Sequence, residues 1–428
     1  MHWQLAVIAA ILLGYAAVSG RLDGTSLTAA MVFTAAGLVV GVEALGLVDP
    51  SATGLEVKTL AEATLAVVLF ADASRVDLRA LRGELAVPAR LLGIGLPLTI
   101  AAGFLAALAL IDELAWPEAL LLAIILAPTD AALGQAVVTL RRLPSRVRQS
   151  LNVESGLNDG ICVPLFLVAL AVAQAEEGAV GHGAAAELVA EKIGYGAIMG
   201  ALAGLVAAVV VVQAGGRGLV SRTWLQVAPV AGAALGYGLA EAVGGSGFIA
   251  AFVGGAVFGA LDSGHVGETS ELIEEAGSLL GATTFVVFGA ILLGPALLDL
   301  SWRIAVYAAL SLTVIRMIPV LIALLAHGAR RPTVAFLGWF GPRGLASIVF
   351  ALLVVEEGGL PGDDLVLTAA FVTVGLSVLA HGVTAAPLAN RYADWIERHP
   401  RTGRRAIEEP GGPDVRWRLH DDEAAGPQ

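Results

Sequence analysis

Apolar runs of about 20 residues recur along almost the whole of this chain, and that recurrence limits the fold more than any other feature. A run of that length crosses the roughly 30 Å hydrocarbon core of a bilayer as a helix. Lipid offers the backbone no water, so each N–H and C=O must be satisfied inside the protein, which a helix does within its own segment. The expectation is an all-α polytopic membrane protein of thirteen spans, at 3–20, 25–47, 57–74, 86–110, 117–139, 147–174, 188–213, 222–243, 246–262, 271–297, 302–327, 333–355 and 364–388. Leu5 to Val18 has only His2 ahead of it in place of a basic stretch, and is read as a retained first span rather than a secretory leader. Composition agrees, with 57% hydrophobic and 14% charged residues and a mean hydropathy of +0.81. That excludes a soluble enzyme, and a net charge of −12 supplies no basic footprint for nucleic acid. Cys162 is the only cysteine, so there is neither an intrachain disulfide nor a cysteine metal cluster, and it is expected to pack as a small apolar residue. The 52 glycines suit close helix packing in lipid.

Charge in the connections gives an orientation. Arg75, Arg79, Arg82 and Arg90 follow span three; Arg141, Arg142, Arg146 and Arg148 follow span five. Arg217 and Arg222 follow span seven, Arg330 and Arg331 follow span eleven, and more arginines fill the tail, while the opposite connections hold only Lys58, Lys192 and Arg303. The N-terminus is therefore expected outside and the C-terminus in the cytoplasm. The tail, 390–428, is polar and rich in Pro and Gly, and is expected to be a largely disordered cytoplasmic extension that begins as a short surface helix.

Against this apolar background the polar residues stand out, because an ionisable group at membrane depth costs about 2.5–3.5 kcal/mol even on the lenient insertion scales. Span six carries Glu154-Ser155-Gly156-Leu157-Asn158-Asp159-Gly160. Ser155, Asn158 and Asp159 fall at i, i+3 and i+4 and share a helix face, with Glu154 on its flank. Span five holds Ala127-Pro128-Thr129-Asp130-Ala131, where the proline removes a backbone donor and disfavours helix ahead of it. Span twelve repeats the device with opposite charge in Gly341-Pro342-Arg343-Gly344. Two broken helices at corresponding positions of inverted halves point to a mid-membrane site with freed carbonyls. The repeats are expected at about 1–174 and 222–389, linked by the helix 188–213. Span eleven places Arg316 in the membrane, and Glu154 is its candidate partner. Span three ends with Asp72, and spans other than three, five, six, eleven and twelve read as nearly free of polar groups.

Taken together, these residues resemble the monovalent cation–proton antiporters of the NhaP/NHE branch. Glu154 to Gly160 resembles that family's Asn-Asp motif helix, and Pro128-Thr129-Asp130, Arg316 and Gly341 to Gly344 match other marked positions in the same order. The likeness covers about 3–388. It implies a homodimer in the plasma membrane, each protomer having a dimerisation domain and a six-helix ion-transport bundle. It also implies ion ligation by Asp159, Ser155, the Thr129 hydroxyl or carbonyl and the region of Asp130. The family's span-three acid falls at Asp72 or at its neighbour Ala73. No cofactor is implied beyond the transported ions.

Blander roles stand beside these. Asp130 either contacts the ion or caps an unwound helix end. Arg343 either balances the acids and helix dipoles at the crossing or caps freed carbonyls. Asn158 can donate to Glu154 or hold the local helix. Gly244 to Gly247 and Gly254-Gly255 follow no strand, so they are read as helix packing rather than a phosphate loop. His265 is read as part of a solvated loop rather than a pH sensor, and His182 and His327 as surface positions. The functional expectation is exchange of Na+ or Li+ for H+, with K+ as the alternative cation. A sodium-coupled solute symporter or a passive channel is the rival, although no filter repeat appears. Asn158 cannot titrate, so one proton per cation is expected.

Overall fold

The computed structural model describes residues 2–22, 25–48, 54–76, 86–130, 132–134, 137, 139–178, 181–262, 269–325, 327–357, 359–400 and 407–408. Arg79, Arg82, Ala131, His265 and nearly all of the tail beyond residue 400 lie outside these residues. Every expected span contains a described helix, although that of span two ends at Val40 rather than at 47. Among the described residues seven helices are long and apolar enough to cross a membrane, and Ala29–Val40, Trp116–Ile125, Gly247–Leu261 and Leu345–Val354 are shorter apolar helices. Serine and threonine start several of them by satisfying a free first-turn N–H. Thr28, Ser246 and Ser301 accept from Met31, Ile249 and Ile304 at 3.4, 3.4 and 3.3 Å, opening spans two, nine and eleven.

Spans four, five, six, eleven, twelve and thirteen pack on one another. Spans one, two, three, seven, eight, nine and ten form a second group, joined to the first where spans three, seven and nine meet span six, where spans three and ten meet span twelve, and where spans two and ten meet span thirteen. Small residues make the second group tight. Gly196, Gly200 and Gly204 of span seven face the carbonyls of Ser246, Ala250 and Gly254 of span nine, and a Cβ at any of them would run into that backbone. Gly255 is held the same way against Phe70 of span three. The Gly254-Gly255 pair is thus helix packing, as read from the sequence, whereas Gly244 sits in the turn between spans eight and nine with a φ of +80°. Arg75 of span three pairs with Glu274 of span ten.

Two helices are broken. Span five is helical over Trp116–Ile125, runs irregular through Thr129 and Asp130, and resumes as a 3-10 turn at Ala132–Gly134. Span twelve is helical over Arg331–Trp339 and again from Leu345, with residues 340–344 unwound between. Span six, by contrast, is one 32-residue helix, Ser145–Glu176.

Three expectations need correction. Span thirteen is not free of polar groups: Thr373, Ser377 and His381 are all buried in it, Thr373 donating to the Ala369 carbonyl of its own helix at 2.6 Å and the other two serving as partners for the broken stretch of span twelve. Its helix also continues past the expected boundary at 389/390 to Arg398. There Arg142 holds it from the other side of the bundle, reaching Asp394 at 2.6 Å and Glu397 at 2.9 Å. Within the tail, Ile407 and Glu408 are buried. Glu408 accepts from the Arg330 N–H and the Thr333 hydroxyl, each at 2.8 Å, at the first turn of span twelve.

Candidate functional site

Unwinding frees backbone groups, and the two broken stretches use each other to satisfy them. The Asp130 N–H donates to the Pro342 carbonyl at 2.8 Å. The Arg343 guanidinium donates to the Ala127 and Pro128 carbonyls at 2.9 and 3.2 Å. The Ser347 hydroxyl donates to the Ile125 carbonyl at 2.7 Å. Of its two candidate roles, Arg343 therefore takes that of carbonyl cap, from a fully buried position. Asp130 makes a cap as well as lining a cavity beside the crossing: one carboxylate oxygen accepts the Leu345 N–H at 3.1 Å, at the start of the second half of span twelve. Gly344 has to be glycine here, since a Cβ would overlap the Asp130 carboxylate.

Span six presents its polar face to this crossing. The Ser155 hydroxyl donates to the Thr129 carbonyl. Asn158 grips the same residue twice, its amide N–H2 donating to the Thr129 hydroxyl at 2.7 Å and its carbonyl accepting the Thr129 N–H at 3.3 Å. Asn158 thus bonds Thr129 and not Glu154. Glu154 lies four residues back and turns to span eleven, where it meets Arg316 at 2.6 Å. That ion pair was legible in the sequence. Both its side chains are almost wholly buried, and Gly341 leaves space against the Arg316 guanidinium that a side chain would fill.

Asp159, 7% exposed, lies one residue beyond Asn158 and has a buried carboxylate oxygen that meets no hydrogen-bond donor among the described residues. A buried carboxylate oxygen in that condition calls for a proton or a cation. Asp130 and Asp72 lie within electrostatic reach of it. Asp72 is half-buried and packs on span six at Gly156, where a Cβ would stand 3.2 Å from that of Asp72. The structure thus brings Asp72, rather than Ala73, against the motif helix beside Ser155. Among the described residues no three Asp, Glu, His or Cys side chains converge on one point.

A cavity of about 20 Å³ opens beside the crossing, lined by Thr129, Asp130, Gly134, Val137, Leu151, Ser155, Phe340 and Pro342. That is room for about one water molecule. It lies toward the arginine-rich end of span six. On the far side of Asp159 the packing is closed, with Cys162 buried and Phe166 stacked on Phe350 at 5.0 Å. At the arginine-rich end, burial and then the Arg90 guanidinium hold the His327 imidazole below its ordinary value.

The sequence reading missed Ser347, Ser377 and His381, which hold the broken stretches in place. Ser377 and His381 sit at i and i+4 in a run otherwise rich in alanine, valine and leucine. The argument that singled out span six would have found them had it been applied to span thirteen.

Residues 7–391 match the family described as "Sodium/hydrogen exchanger, transmembrane". The chain is 28% identical over 272 residues to a probable Na+/H+ antiporter of Schizosaccharomyces pombe, covering 58% of this chain and 34% of that protein. It is 27% identical over 372 residues to the K+/H+ antiporter NhaP of Alkalimonas amylolytica, covering 86% of this chain and 62% of that one. The chain thus spans from about a third to under two thirds of the length of these relatives. Among solved structures, the sodium proton antiporter MjNhaP1 of Methanocaldococcus jannaschii superposes with a TM-score of 0.71 at 18% identity, over 92% of this chain and 100% of that one. The fold is shared with that antiporter, and the family match extends over nearly all the described helices: the chain belongs to the sodium/hydrogen exchanger family.

Proposed function

We propose that the chain is a secondary antiporter exchanging Na+ or Li+ for H+, one for one, with cation and proton competing for Asp159. The observation that carries this reading is the buried Asp159 oxygen that meets no donor among the described residues, one helical turn from Ser155, which edges a cavity together with Thr129 and Asp130. Competition follows from the chemistry. A hard cation is bound by carboxylate, hydroxyl and carbonyl oxygens, and a protonated carboxyl ligates poorly. Ser155 and Thr129 supply neutral oxygens. Asp72 adds negative charge, and Asp130 holds the crossing while lining the cavity. Asp159 is the one of the three with a buried carboxylate oxygen that meets no donor among the described residues.

Exchange requires that the site face the two sides in turn. The group formed by spans four to six and eleven to thirteen is the six-helix bundle we expect to rock against the remaining spans, whose glycine packing makes them the firmer body. We read spans one to six and eight to thirteen as inverted repeats, and the second group as the dimerisation domain of a homodimer. With the arginine-rich end in the cytoplasm of a plasma-membrane protein, the cavity faces inward in this conformation. The rival cation is K+, as in the name of the Alkalimonas relative.

The test is transport by the purified protein in proteoliposomes, with Na+, Li+ and K+ compared across a range of pH. Dissipation of an imposed pH gradient by Na+ or Li+ alone is the expected result. Dissipation by K+ only would assign the other cation, and a requirement for an organic solute would mean symport.

A further inference from the structure

We infer that His381 is a positioning residue of the exchange: with Ser377 it forms a clamp on span thirteen that sets the ion site through the unwound stretch of span twelve. The inference rests on the antiport reading above.

Four to five residues of span twelve lack helical hydrogen bonds, and span thirteen holds them at both ends. At the entry, the Trp339 carbonyl is the last of the first half-helix, and His381 Nε2 lies 2.9 Å from it. At the exit, the Arg343 N–H donates to Ser377 Oγ at 2.7 Å. The two clamp residues are one helical turn apart on one face of span thirteen. They also meet each other through the Ser377 hydroxyl, His381 Nδ1 lying 3.2 Å from Ser377 Oγ. A neutral imidazole has one donor and one acceptor. One arrangement uses every group: Nε2–H donates to the Trp339 carbonyl, Nδ1 accepts the Ser377 hydroxyl proton, and Ser377 Oγ accepts from Arg343. Both side chains are buried, His381 at 1% exposed and Ser377 at 0%. The Trp339 indole adds a further tie to span thirteen by donating to Thr384 at 3.0 Å.

What the clamp fixes is the scaffold of the ion site. Arg343 reaches the Ala127 and Pro128 carbonyls, and Pro342 receives the Asp130 N–H, so residues 127–130 of span five take their position from residues 342–343. Thr129 lies between these anchors and is the residue that Ser155 and Asn158 hold. Loosening the clamp displaces the Ala127 and Pro128 carbonyls and the Arg343 guanidinium that holds them, without removing any group that meets the ion.

The experiment is cation-driven proton flux in proteoliposomes for wild type, His381→Ala, His381→Gln, Ser377→Ala and the double alanine variant. Losing one buried hydrogen bond of this kind corresponds to about a tenfold effect. We expect His381→Ala and Ser377→Ala each to raise the half-saturating cation concentration about tenfold while maximal rate changes less than about twofold. Glutamine carries one donor and one acceptor group and is expected to restore most of the wild-type value. The double variant is expected to be no worse than the weaker single, since both cut one linkage. Should His381→Ala not fold, Ser377→Ala and His381→Gln carry the same test. A merely structural role would lower the amount of folded protein and leave the half-saturating concentration alone, and that result overturns the inference. A wild type without exchange overturns the antiport reading and this inference with it. A wild type that exchanges beside variants of equal half-saturation overturns this inference only.

Discussion

Glu154 and Arg316 illustrate how a buried charge is tolerated only in company. Their 2.6 Å contact joins span six to span eleven at a depth where water is absent. Removing one partner leaves an uncompensated buried charge, which costs about 3–5 kcal/mol. Glu154→Gln and Arg316→Gln are each expected to lower thermal stability strongly, and the double variant to recover part of the loss. Strictly additive losses in the purified protein would show that the pair does not act as a unit. Asp159 differs in having no fixed partner for one oxygen. Asp159→Asn is expected to abolish exchange and leave folding intact, while Ser155→Ala and Thr129→Val raise the half-saturating cation concentration and keep a measurable maximal rate. Appreciable proton flux in Asp159→Asn would take that residue out of the centre of the mechanism.

The crossing of spans five and twelve depends on a glycine as much as on any charge. Gly344 gives way to the Asp130 carboxylate, which in turn caps the helix beginning at Leu345. Gly344→Ala is expected to break that cap and cost about 1–3 kcal/mol in stability, together with a loss of transport, because the two broken stretches would have to separate. Unchanged unfolding temperature and flux would show that the crossing has slack. These elements were legible in the sequence for a physical reason: lipid makes polar residues costly, so Glu154 to Gly160, Pro128 to Asp130 and Gly341 to Gly344 each called for a partner or a role. The Glu154–Arg316 pair followed from the same cost. The legibility failed where contrast was lower. Ser377 and His381 are mild polar residues scattered among others in span thirteen, and nothing in their spacing says that they face a break in another helix. Glu408 lies in a tail that is polar throughout, so its burial against Arg330 and Thr333 left no trace in the pattern. The choice between roles at Asp130 and Arg343 also needed geometry, since a carboxylate beside an unwound helix suits either.

For the molecule as a whole, what matters is how much charge crosses per cycle. Asn158 spends its amide on Thr129, where an aspartate would have offered a second titrating group and lost the donor. Exchange is accordingly expected to be indifferent to membrane potential. Proteoliposomes carrying an imposed potassium–valinomycin potential should give the same Na+-driven proton flux as those held at zero. A steep dependence would require a second carboxylate, Asp130 or Asp72, to carry a proton with Asp159. The amide at 158 also fixes where the machine stalls. With no net charge moved, voltage does no work on it, and net flow stops once the sodium concentration ratio across the membrane equals the proton ratio. A cell in surroundings more alkaline than its interior would then be unable to expel sodium uphill by this route: the proton gradient would draw sodium inward, and sodium would leave only where its inside-to-outside ratio exceeded that of protons.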